Sequence, residues 1–161
     1  MQEKNNSQDF ISDTMLIKNS LNGWAFLHKY LSVEEFAVAF SLGLKADDNS
    51  LRPFNNKTPN IKLAKVFGVS RIVLKKMFAK LSALGVYGQF EVADKFSPYT
   101  KYWLLSPYLM FSGETKNSSI KFLFDNTHVH NAFLDPNYEL TEQQIIDLKI
   151  KSSTLKRRKA K

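Results

Sequence analysis

The spacing of apolar residues changes period along the chain, and the changes mark out its elements. Residues 1–13, MQEKNNSQDFISD, show no periodicity and read as a flexible N-terminus. Met15 to Lys18 is a short apolar run, either a strand or the start of a helix, and Asn22-Gly23 after it reads as a turn. Ser32-Val33-Glu34-Glu35 has the form of a capping box, in which a hydroxyl and a carboxylate satisfy each other's backbone amides. Phe36, Val38, Ala39, Phe40, Leu42 and Leu44 then make a broad apolar helix face ending near Lys45, and residues 46–57 read as a loop. Thr58 as N-cap and Pro59 at the first helical position open a second, short helix carrying Ile61, Leu63, Ala64, Val66 and Phe67. Gly68 stops it, Ser70 caps a further helix, and Gly85 stops that one after Leu84. From Val86 the period drops to 2, with Val86, Gly88, Phe90 and Val92 on one face and Tyr87, Gln89 and Glu91 on the other. A loop from Asp94 to Ser97-Pro98 and a return strand, Lys101 to Leu105, complete a β-hairpin. Ser106-Pro107 marks a break before the short apolar stretch Tyr108 to Phe111, and Ser118 to Phe124 is strand or helix. Thr141 to Gln144 is another capping box, opening a C-terminal helix of about 10–15 residues.

Composition narrows what such a chain can do. Its 161 residues, 43% of them hydrophobic, suit one compact domain with appendages. The absence of cysteine excludes disulfides, thiol nucleophiles and cysteine-ligated metal sites. No apolar run approaches the ~18 residues of a membrane span, and the polar N-terminus does not read as a signal peptide. The expectation is a soluble cytoplasmic protein, nucleoid- or plasmid-associated, with no membrane partner.

The net charge of +8 is unevenly spread. Residues 49–90 hold eight basic residues and no acidic one; residues 149–161 hold seven basic and no acidic. The remainder is acidic. Two cationic blocks on an acidic body point to a polyanion, and nucleic acid fits a chain without a lipidation motif.

The first block coincides with the helix–Gly turn–helix at 59–84. Ala64, Gly68, Val69 and Leu74 supply the small crossing residue, the turn glycine and the apolar positions of a helix-turn-helix. A hairpin directly after the second helix makes it winged. On a helical wheel, Val73, Leu74, Met77, Phe78, Leu81 and Leu84 fall on a core face. Arg71, Ile72, Lys75, Lys76, Ala79, Lys80, Ser82 and Ala83 fall on a wide outer face without acid, suited to a major groove. Ser70 and Arg71, at the N-terminus, are the candidate base readers; Lys75, Lys76 and Lys80, with Lys62 and Lys65 on the preceding helix, are candidate phosphate contacts. The wing loop 94–99 offers Lys95, with Phe96 and Tyr99. The C-terminal block KIKSSTLKRRKAK offers an auxiliary contact through Lys156, Arg157 and Arg158.

The stretch from Leu31 to Phe124 resembles the winged helix-turn-helix proteins of bacterial plasmids and phages, in particular the RepL-type plasmid replication proteins of Firmicutes and more distantly MarR-like regulators. LAKVFGVSRIVLKKMFAKLSALGVY (63–87) and KYWLLSPYLMFSGETKNSSIKFLF (101–124) carry the resemblance, the second through a turn at Ser106-Pro107 and a following Gly113. It implies an α+β winged helix-turn-helix with additional terminal helices and a basic C-terminal tail. The corresponding division is 1–13 flexible, 14–124 winged-helix domain, 125–140 connecting segment and 141–161 helix and tail. It further implies double-stranded DNA binding in replication initiation or partition of a mobile element, with no catalytic residues. A transcription regulator built on the same module and a protein-interaction module contacting polymerase are the alternatives. Such domains often dimerise, here through Phe36 and Phe40 or the 141–152 helix.

His128-Val129-His130 has the form of the metal-binding triplet of rolling-circle nucleases, and Tyr138 follows eight residues later. A nuclease is nevertheless not expected. No nucleophile helix follows Tyr138, and the triplet lies too near the C-terminus for an enclosing sheet. Asp125 with His128 and His130 on a strand would lack a fourth zinc ligand. His28 reads as structural. No phosphate-binding glycine loop occurs. The expectation is a non-enzymatic protein without metal or cofactor.

Overall fold

A computed structural model describes residues 17–44, 60–94, 97–112 and 118–150. The order is β1 (Ile17–Asn19), α1 (Leu21–Tyr30), α2 (Val33–Leu44), α3 (Asn60–Phe67), α4 (Arg71–Leu84), β2 (Tyr87–Asp94), β3 (Ser97–Leu105), β4 (Met110–Ser112), α5 (Ser118–Leu123), α6 (His128–Leu134) and α7 (Glu142–Asp147). The fold is α+β. Its strands form two separate two-stranded antiparallel sheets, β1 with β4 and β2 with β3.

Local chemistry sets several boundaries. The Ser32 amide donates to Glu35 Oε2 at 2.9 Å and the Glu35 amide to Ser32 Oγ at 3.2 Å, so the expected capping box opens α2. Helices α3 and α4 end alike. At the end of α3, Val69 N–H reaches back to the Ala64 carbonyl and Gly68 N–H to Lys65; at the end of α4, Val86 reaches Leu81 and Gly85 reaches Ser82. This double closure needs a left-handed residue after the helix, which Gly68 (φ 65°) and Gly85 (φ 84°) supply.

Three expectations are corrected. Asn22-Gly23 is no turn but lies in the first turn of α1, capped by Ser20, whose Oγ accepts from the Gly23 amide at 3.0 Å. Gly23 is buried, and a Cβ there would come within 3.0 Å of Leu109 Cδ1, so the glycine serves close packing. The 125–140 stretch is more than a connector. It contains α6, which packs on α1, and it contributes Val129, Ala132 and Leu140 to the core. The C-terminal helix has six residues rather than ten or more. Its capping box is present, but Lys149 turns left-handed at φ 52°, and Ile150 folds back so that its side chain is buried. The Thr58-Pro59 helix start lies outside the described residues. The 118–124 alternative resolves to a helix.

A single core gathers residues from both ends of the described chain. Tyr30, Leu42, Leu74, Leu81, Tyr87, Leu105, Leu109 and Phe124 are fully buried in it. Tyr30 ties the ends together, its hydroxyl accepting from the Leu140 amide at 3.0 Å. No helix among the described residues is long and apolar enough to cross a membrane.

Candidate nucleic-acid interface

Helix α4 packs against both α3 and α2. Leu74, Met77, Phe78, Leu81 and Leu84 form its buried face. Its opposite face presents Arg71, Ile72, Lys75, Lys76, Ala79 and Ala83, all exposed. Ser70 sits at the N-terminus with its Oγ accepting the Val73 amide at 3.2 Å. That bond occupies the hydroxyl as acceptor and leaves its proton to donate. Lys62 and Lys65 are exposed on α3. Five of the expected cations therefore stand on two packed helices with side chains in solvent. Val73, expected in the core, is instead 42% exposed. It sits at the border of the wheel's apolar arc.

Lys80 departs from the expected cationic face. Its Nζ lies 2.6 Å from Glu35 Oε2, and the two side chains are only 12% and 16% exposed. The same carboxylate oxygen accepts the Ser32 amide, so one atom joins the cap of α2 to the middle of α4. A largely desolvated pair of this kind keeps its geometry, because separating it strands two charges. Lys80 is therefore an ion-pair partner within the protein. Forty-five residues separate the pair, and nothing in local spacing announces it.

Only Gly85 and Val86 separate α4 from the hairpin. β2 and β3 pair from Tyr87↔Leu105 to Val92↔Thr100, and the register shifts before Asp94↔Ser97. β3 starts at Ser97, so Tyr99, expected in the wing loop, belongs to a strand and the turn is shorter. Lys95 and Phe96 lie outside the described residues, as do Lys156, Arg157 and Arg158. The base of the hairpin is fixed to α4 by aromatic contacts, Phe78 with Tyr87 at 5.4 Å and Tyr87 with Trp103 at 5.1 Å between ring centroids, both edge-on. Ser106, fully buried, donates its amide to the Val86 carbonyl at 2.8 Å and holds the return strand against the end of α4. The Tyr87 hydroxyl is buried with no hydrogen-bond partner, and burial pushes its pKa well above the usual tyrosine value.

The histidines sit elsewhere. His128 and His130 are on a helix rather than a strand, with Thr127 as N-cap. Helical residues two apart diverge by about 200°, so the two rings cannot share a face. His128 Nδ1 hydrogen-bonds the Tyr138 hydroxyl at 2.8 Å, and burial lowers its pKa from the usual imidazole value. His130 Nδ1 accepts the Asn126 amide at 2.9 Å, and its ring lies 4.2 Å from that of Tyr108. The Tyr108 hydroxyl bonds Asp125; burial first, and that carboxylate second, hold its pKa well above normal. Each potential metal ligand thus has a different protein partner. Among the described residues, no three His, Asp or Glu gather as a metal site. His28 is exposed, edge-on to Phe36. Phe36 and Phe40 both pack against Trp24, leaving Phe40 partly exposed.

Comparison with known protein families, with curated proteins and with solved structures found no match to this chain.

Proposed function

We propose that the protein is a non-enzymatic, double-stranded DNA-binding protein of the winged helix-turn-helix type. In this reading α4 lies in the major groove, α3 crosses the backbone and the β2–β3 hairpin is the wing. One observation carries it: the exposed cations of α3 and α4 (Lys62, Lys65, Arg71, Lys75 and Lys76) lie in a stretch of chain without a single acid. Surface helices that merely stay solvated ordinarily mix both signs. Arg71 in the first turn is suited to guanine, and the lysines to phosphates. A role in replication or partition of a plasmid or phage, as a homodimer, follows from the resemblance of 63–87 and 101–124 to RepL-type proteins.

If these five cations each neutralise a phosphate, the logarithmic salt slope is about −4.5 per protomer, an affinity loss on the order of 500-fold between 50 and 200 mM salt. Titration of duplex DNA across that range is the test. Salt-insensitive or absent binding refutes the proposal. Footprinting separates the roles, since iterated origin repeats support replication and a promoter operator supports transcriptional control.

A further inference from the structure

Resting on that DNA-binding reading, we infer that Ile72 is a specificity residue that reads the 5-methyl group of thymine. Ile72 is 69% exposed in the first turn of α4, directly after Arg71. Its exposure rules out a core role. Its β-branch makes it a poorer helix former than the Leu, Lys or Glu that an ordinary exposed helical position favours. Exposure alone assigns nothing, since Leu21, Phe122 and Ile146 are comparably exposed; the neighbours of Ile72 carry the argument.

The surroundings name the contact. Ile72, Ala79 and Ala83 fall within about 40° of one another on the helical wheel, and all three are exposed. Lys75 borders this line on one side and Lys76 on the other, both in solvent. The result is a narrow apolar strip framed by cations. A phosphate-lined groove with apolar groups on its floor complements that arrangement, and in the DNA major groove the only apolar group displayed is the thymine methyl. Length also fits. Ile72 and Ala79 are about 10.5 Å apart along the axis, close to three base-pair steps. The alanines have no reach and allow the backbone close to the bases. Ile72, at the N-terminal end where a recognition helix penetrates deepest, has the reach to touch a methyl. The site that follows is a guanine for Arg71 beside a thymine for Ile72.

The experiment is selection of a preferred duplex from a randomised pool with the full-length protein. Each thymine of that duplex is then replaced singly by deoxyuridine, which removes only the methyl. At one position the wild-type protein is expected to lose about fourfold in affinity, the worth of one buried methyl. Ile72→Ala is expected to bind the thymine and deoxyuridine duplexes equally, with an unchanged melting temperature because the side chain is exposed. Equal wild-type binding to every deoxyuridine duplex overturns the inference while leaving DNA binding intact. Retention of the thymine preference in Ile72→Ala does the same. Failure to enrich any duplex, with no salt-dependent binding, overturns both readings and leaves the strip to an acidic protein surface.

Discussion

Gly68 and Gly85 occupy the same left-handed position after consecutive helices, yet they answer to different constraints. A Cβ on Gly68 would meet nothing within 4 Å, whereas one on Gly85 would come within 2.3 Å of Thr127 Cβ. Gly68→Ala is expected to lose about 1 kcal/mol, the conformational cost alone. Gly85→Ala adds a collision with the cap of α6 and is expected to lose several times as much, visible in the denaturation midpoint. Similar losses would show that Thr127 moves aside freely. Tyr87 gives a second residue-scale test, because a buried hydroxyl without a partner costs about 1–3 kcal/mol. Tyr87→Phe is expected to be neutral or stabilising, by up to about 1 kcal/mol. It also changes the pH dependence. The unfolded tyrosine ionises near pH 10 while the folded one stays protonated, so stability falls as pH rises past about 10. The variant loses that share of the alkaline decline and keeps the share due to Tyr108. His128 acts at the other end. Its lowered pKa means the unfolded state takes up the proton first, so stability falls as pH drops below about 6.5. His128→Gln is expected to flatten that acid limb in pH-dependent melts.

At the scale of elements, cations on one helix divide by what faces them. Lys76 is exposed on α4; Lys80, one turn later, is sequestered by Glu35 on α2. On the DNA-binding proposal, Lys76→Met is expected to make the salt slope about 0.9 shallower. Lys80→Met is expected to leave the slope unchanged and to lower stability by about 1–3 kcal/mol, since a largely buried carboxylate loses a hydrogen-bond partner. A shallower slope from Lys80→Met would put that ammonium on DNA after all. This division was beyond the reach of a helical wheel, which places Lys80 among the outer residues because it knows nothing of α2. What was legible at this scale had a local cause. The α2 capping box, the two glycine stops, the Ser70 cap and the period-2 hairpin are each contained within a few residues. Asn22-Gly23 misleads because a dipeptide common in turns sits inside a helix that Ser20 caps, with Leu109 close enough to favour a residue without Cβ at position 23. Ile72 was legible as an outward residue, but its exposure and its framing lysines become an argument only with the fold in place.

For the whole molecule, the described body runs to Ile150, and a basic sequence follows it. Pairings that close the body span most of the chain, β1 with β4 and Tyr30 with Leu140, and no local pattern foretells such distant partners. They make residues 125–150 part of the core. Burying Val129, Leu140, Ile145 and Ile150 at about 1.5–3 kcal/mol each amounts to roughly 6–12 kcal/mol, comparable with the ~5–15 kcal/mol of a whole domain. Ending the chain after Phe124 is therefore expected to abolish cooperative unfolding. Ending it after Ile150 is expected to leave the melting transition in place, because every core residue among those described is kept. That second truncation removes six basic residues, Lys151, Lys156, Arg157, Arg158, Lys159 and Lys161. If they track phosphate, the full chain has a salt slope steeper than −4.5 and the truncated chain returns to about −4.5, with affinity at least about tenfold weaker at 100 mM salt. Equal slopes for the two chains would assign the tail to solubility and leave the proposed DNA contact to α3, α4 and the hairpin.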